Sequence, residues 1–260
     1  MKHQLTTALA MIAIQNAVLH YTSDANETIL KTELISIAKQ RVTQNQAAPA
    51  ANAKRKVNPA YQNPVAPDPK LPNVLIIGDS ISIGYMVPLR SKLEGVANVF
   101  RPQTNCGPSS KGLDEIDAWI GDREWSLIQI NHGLHDLKYM GPQGQNLADP
   151  KAESSHQQIP PKQYEKNLNL LAERLKQTGA TILWCETTPV PQGAAGRVVG
   201  DSKKYNEIAK KVMNKHGIQT NGLFDFANQN VPTREANVHY TPENSEKLAD
   251  FVATSIKENL

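Results

Sequence analysis

Asn73-Val74-Leu75-Ile76-Ile77-Gly78-Asp79-Ser80-Ile81-Ser82 decides the fold. Four consecutive apolar residues with no polar alternation read as a short strand buried on both faces. Gly78-Asp79-Ser80 then makes a tight turn that leads into a helix. Working outward, four more segments read as buried strands: Asn98–Arg101, Ser126–Asn131, Thr181–Cys185 and Leu223–Phe226. Helical patterns lie between them. Tyr164, Leu168, Leu171 and Leu175 share one face, with Gly179 at the C-cap. Tyr205, Ile208, Val212 and Met213 repeat the spacing before Gly217. Thr241 is placed as an N-cap with Pro242 at the first helical position, and Leu248, Phe251, Val252 and Ile256 form the apolar face that follows. Strands alternating with helices predict an α/β protein, a three-layer α/β/α sandwich around a five-stranded parallel sheet. Ligands in such sheets bind beyond the carboxyl ends of the strands, so the residues just after each strand matter most.

The chain before Asn73 has a different character. Met1-Lys2-His3 and the apolar run Leu5 to Ile14 have the layout of a secretory signal, with small residues at Ser23 and Ala25 for cleavage. An amphipathic N-terminal helix is the alternative, because Gln15 and Asn16 interrupt the run. The run is too short to span a membrane. Residues 1–25 are thus expected to be a signal peptide. Residues 26–72 are expected to hold one short helix, Ile29 to Val42, and a Pro/Ala-rich linker. Six of the chain's 17 prolines fall within 47–72. Lys54-Arg55-Lys56 reads as a solvated patch on that linker.

Of 260 residues, 39% are hydrophobic and 20% charged, which excludes a collagen, a coiled-coil rod and a wholly disordered chain. Two cysteines cannot make a disulfide framework. The net charge of +3 is uneven: residues 1–72 stand at +4 and residues 73–260 at −1. The folded part therefore has no basic run to suggest a nucleic-acid partner.

Four strand-end blocks carry chemistry. Gly78-Asp79-Ser80 places a serine where a helix N-terminus can face a developing oxyanion. Asn105-Cys106-Gly107-Pro108 offers a glycine that lets backbone approach a ligand. Gly133-Leu134-His135-Asp136 follows the third strand, and Asn237-Val238-His239-Tyr240-Thr241 precedes the last helix. In order, spacing and placement these blocks resemble the SGNH (GDSL-type) hydrolases over residues 73–260. The phrases around Ser80 and His239 look like a bacterial, mostly secreted branch of that family. The resemblance implies that Ser80 is the nucleophile and His239 the general base. It also implies an oxyanion hole built from Ser80 N–H and Gly107 N–H.

Two positions depart from the family pattern. His135 stands where an asparagine normally donates to the oxyanion, and a neutral imidazole N–H can make the same bond. Ala236 stands where an aspartate normally orients the histidine. The expectation is a Ser–His dyad oriented by a backbone carbonyl, with Glu235 or Glu186 as the alternatives.

Other residues are read more plainly. His132, His135 and Asp136 fall short of a metal set, so no metal and no cofactor are expected. Cys106, Cys185 and Trp184 are read as packing residues. Arg197, in the loop Gln192–Gly200, is either a contact to a polar substrate or a solvated side chain. The resemblance implies a secreted or periplasmic esterase that removes small acyl groups, acetyl above all, from carbohydrate. A non-catalytic carbohydrate-binding protein and an acyltransferase on the same scaffold remain alternatives.

Overall fold

The computed structural model describes residues 57–260. The expected signal peptide, the helix at 29–42 and the basic triplet at 54–56 lie outside the described residues. In chain order the described elements are β1 (Asn73–Ile77), α1 (Ser80–Lys92), β2 (Asn98–Phe100), α2 (Ser109–Ile120), β3 (Leu127–Ile130), β4 (Tyr139–Met140), β5 (His156–Gln157), α3 (Pro161–Lys176), β6 (Thr181–Cys185), α4 (Asp201–His216), β7 (Gln219–Asn221), α5 (Leu223–Asn230) and α6 (Pro242–Lys257).

Five strands form one parallel sheet in the order β2-β1-β3-β6-β7. β1 sits beside the centre, in register with β2 through Val74↔Val99 and with β3 through Leu75↔Ile128. Val74, Leu75, Ile76 and Ile77 are all at least 98% buried, as a strand covered on both faces requires. Each such side chain contributes about 1.5–3 kcal/mol of burial. Helices α1, α5 and α6 pack together, and α2, α3 and α4 pack together, giving one helical layer on each face of the sheet. This is the predicted three-layer sandwich. The α6 cap is also as expected, with Thr241 Oγ1 accepting from Asn244 N at 3.2 Å. Among the described residues no helix is long and apolar enough to cross a membrane.

The structure corrects two expectations. The fifth strand is not Leu223–Phe226: β7 is the polar triplet Gln219–Asn221, paired with β6, and Leu223–Asn230 is helix. Leu223, Phe226 and Ala227 have helical spacing, and Leu223 and Ala227 are buried from that helix. A three-residue strand at the sheet edge needs no apolar run.

The second correction concerns residues 57–72, expected to be free linker. They pack on the sandwich instead, and the compact unit begins at Val57. A 3-10 turn, Pro59–Tyr61, buries Ala60. Asn63 grips the backbone of Arg101 from both sides, donating to its carbonyl at 2.8 Å and accepting from its N–H at 2.9 Å. Asp68 is tied in the same two-sided way to the side chain of Asn98. Proline density denies regular structure here, but asparagine side chains supply the bonds that a strand would have made.

Candidate active site

The nucleophile turn is over-determined by its own backbone. Asp79 caps α1, its Oδ1 accepting from Ile81 N at 2.9 Å and its carbonyl accepting from Ser82 Oγ at 2.7 Å. Ser80 is therefore the first residue of the helix, and its N–H has no partner among the described residues. Arg101, 1% exposed, fastens this turn to the next loop. Its guanidinium donates to Gly78 O, to Ser82 Oγ and to Thr104 O, each at 3.2 Å.

His239 reaches Ser80 from the segment before α6, with Nε2 2.9 Å from Ser80 Oγ. Its other ring nitrogen corrects the expected dyad. Nδ1 lies 2.7 Å from Asn237 Oδ1, a side chain, and neither a backbone carbonyl nor Glu235 takes that place. Glu186 is used elsewhere, accepting from Phe224 N at 3.2 Å.

The Asn237 amide has a defined orientation. Its Oδ1 also accepts the backbone N–H of His239 at 3.0 Å, and a backbone nitrogen can only donate. The oxygen must therefore face the ring, so Nδ1 carries the proton and Nε2 presents its lone pair to Ser80. The tight loop that makes this possible closes through Arg234 N–H donating to His239 O at 2.8 Å, with Ala236 at φ +47°. Sequence spacing pointed to Ala236 and overlooked Asn237. The Asn-x-His spacing of an asparagine turn was the available signal. Burial lowers the imidazole pKa of His239 from its ordinary value, and the charges of Arg197 and Arg234 lower it further against the opposing pull of Asp79.

The expected oxyanion residues are not all free. Gly107, at φ +61°, donates its N–H to Asn105 Oδ1 at 3.0 Å, so this donor is engaged within its own loop. His135 is half-buried and makes no hydrogen bond within the described residues; burial lowers its pKa, and Lys138 and Arg197 reinforce the effect. Its neighbours act as clamps. His132 Nδ1 lies 3.0 Å from Gly107 O, and burial pushes its pKa down to about 4, so the neutral ring donates there. Asp136 accepts from both Ser109 N–H and Ser109 Oγ, while burial pushes its carboxyl up to about 7. The end of β3 thus holds the glycine loop at two points.

Gly133 allows this close approach, because an added Cβ would overlap Thr187 Oγ1. Gly133→Ala should cost about 1–3 kcal/mol in stability, as overpacking of this kind does. A lower urea midpoint at unchanged slope is the expected reading.

The remaining candidates sort as follows. Cys106 and Cys185 are buried and unpaired, with thiols pushed by burial up to about 11 and about 12, which leaves them unreactive. Trp184 is fully buried. Arg197 donates from Nε to Leu134 O at 3.2 Å, next to His135. No group of three His, Cys, Asp or Glu residues gathers as a metal set among the described residues.

Ser80, His239, Arg234 and Tyr240 line an open cleft of about 220 Å³. Arg234 and Tyr240 also line an adjoining groove of about 360 Å³, walled by Pro189, Pro191 and Gln192.

No family model matches the chain, and no curated protein matches it. Solved structures do. The lipase/acylhydrolase from Enterococcus faecalis matches with a TM-score of 0.58 at 13% identity, over 72% of this chain and 96% of that one. An acetyl xylan esterase, AlAXEase, matches with a TM-score of 0.55 at 13% identity, over 71% of this chain and 99% of that one. A GDSL-like lipase from Bacteroides thetaiotaomicron matches with a TM-score of 0.52 at 14% identity, over 85% and 98% of the two chains. The fold is therefore the one that the four sequence blocks implied.

Proposed function

We propose that the protein is a secreted serine esterase that removes small acyl groups, acetyl above all, from carbohydrate. The pairing of Ser80 Oγ with His239 Nε2 at 2.9 Å carries this reading. Fold neighbours with esterase and acylhydrolase names support it.

In this mechanism Ser80 Oγ attacks the ester carbonyl while Nε2 takes its proton. The negative charge moves to the carbonyl oxygen, where the free Ser80 N–H is the first donor. Gly107 N–H becomes the second once Asn105 Oδ1 releases it, and a ring N–H of His135 is the third. The imidazolium returns its proton to the departing alcohol. Water then attacks the acyl-serine and gives its proton to Nε2, which passes it to Ser80 Oγ as the carboxylic acid leaves. Asn237 keeps the proton on Nδ1 throughout the cycle, as the asparagine of a Cys-His-Asn site does. It supplies orientation without a negative charge.

A fluorophosphonate probe tests this reading, because only an activated serine reacts. The probe should modify Ser80 alone, identified by peptide mass spectrometry. Its rate should rise with pH as His239 loses its proton. The lowered pKa of His239 places that rise below the ordinary value of 6.5, so at pH 6.5 labelling should run at more than about half its rate at pH 8. Absence of labelling at every pH would leave the non-catalytic, carbohydrate-binding reading, which the engaged Gly107 N–H favours.

A further inference from the structure

Between β3 and α3 the chain makes an excursion, residues 138–158, whose short strands β4 and β5 pair with each other and not with the main sheet. Tyr139 N–H donates to Gly196 O at 2.7 Å, which pins the start of this excursion to the loop after β6. That bond seats Lys138 beside Arg197. Lys138 is buried and Arg197 partly buried, and neither makes an ion pair among the described residues. Lys138 is only 9% exposed, and its ammonium has no hydrogen bond or ion pair among the described residues. Arg197 spends Nε on Leu134 O and Nη1 on Ala195 O at 3.4 Å, both neutral carbonyls, and has no carboxylate partner among the described residues.

A shielded cation without a counter-charge is costly, and two side by side are worse. Burial pushes the ammonium pKa of Lys138 down, and Arg197 adds to this against the pull of Asp136. The nearest acid in the chain, Asp136, is taken by Ser109. Asp79 is committed to the cap of α1. Both cations border His135, which sits between Leu134 and Lys138. Arg234, which lines the cleft with Ser80 and His239, has Glu235 next to it along the groove, so it commits that wall to neither sign.

We propose that Lys138 and Arg197 form an anion-binding subsite beside the Ser80–His239 pair, and that the esters this protein cleaves are borne by acidic carbohydrate. The carboxylate or sulfate of the sugar supplies the missing counter-charge. The guanidinium edge and the ammonium give charge-assisted hydrogen bonds in a place that water shields poorly. The proposal rests on the esterase reading above for its substrate, but its binding half can be measured separately.

The experiment follows acetate release by the full chain from three substrates: an O-acetylated oligouronate, an O-acetylated sulfated oligosaccharide and an O-acetylated neutral xylo-oligosaccharide. The wild type should favour at least one acidic ester over the neutral one by about tenfold or more in kcat/KM. That preference should shrink as salt rises from about 50 mM to about 500 mM. In the double variant Lys138→Gln/Arg197→Gln the ratio should fall to about one. Whichever acidic ester shows the effect identifies the anion.

A ratio near one in the wild type, or a ratio that the double variant leaves unchanged, overturns the proposal. If no ester releases acetate, the esterase reading fails by itself. Calorimetric binding of the same oligosaccharides without acetyl groups then decides the subsite: tighter binding of an acidic oligosaccharide, lost in the double variant, upholds it. Equal binding of all three by the wild type overturns it.

Discussion

Ser80→Ala is expected to lower esterase activity by about 10⁵-fold or more, measured as background-corrected kcat/KM on p-nitrophenyl acetate. The hydroxyl is both the bond-forming atom and the donor that His239 faces at 2.9 Å, so its loss leaves no nucleophile for the imidazole to activate. Among the described residues the Ser80 hydroxyl bonds to His239 alone, and α1 is capped by Asp79, so the variant should unfold close to the wild-type urea concentration. Activity within tenfold of wild type would end the assignment of Ser80 as nucleophile and with it the acyl-enzyme.

The next largest effect should come from a residue that touches no substrate. Asn237→Ala removes the oxygen that accepts both His239 N–H and Nδ1–H. The ring is then free to turn and to change tautomer, and kcat should fall by about 10²–10³-fold with little change in KM. The loss of the triad acid in a serine protease costs about 10⁴-fold; less is expected here because a neutral amide never stabilised the imidazolium by charge.

Asn237→Asp provides the contrasting case. A carboxylate at Nδ1 raises the pKa of His239, because it favours the charged ring. The acid limb of the pH–rate profile should therefore move to higher pH, by about one unit, with kcat at pH 8 retained or increased. A purely structural role for Asn237 would move neither tautomer nor limb. Unchanged kcat in Asn237→Ala, together with an unmoved limb in Asn237→Asp, would remove Asn237 from the mechanism.

The sheet was legible wherever burial on both faces imposed an apolar run. β1 and β6 have the predicted boundaries, because each is flanked by strands and covered by helices on both sides. The edge strand was not legible. Gln219–Asn221 has one neighbour and little apolar content, while the apolar residues just after it belong to α5.

The site follows the same division. The pairing of Ser80 with His239 was legible, because the sequence places a serine just after β1 and a histidine just before the last helix. Asn237 was overlooked although its Asn-x-His spacing stood in the sequence, because bringing its oxygen onto the ring also takes a loop closed by a backbone bond and a positive φ at Ala236. The engaged state of Gly107 was hidden for a similar reason: the glycine was identifiable, but the turn by which Asn105 occupies its N–H is local geometry. Lys138 lay in an excursion without periodicity, and only the tie between Tyr139 and Gly196 brings it to Arg197.

Asn63 has one more effect. Its amide clasps Arg101, and Arg101 spans the loop of Ser80 and the loop of Gly107. A form trimmed to residues 73–260 would keep every strand of the central sheet and all six helices, yet its two reactive loops would be joined by an arginine gripped at one end only. The compact unit therefore starts at Val57, and residues 57–72 brace the loop of Ser80 against the loop of Gly107 through Asn63 and Arg101.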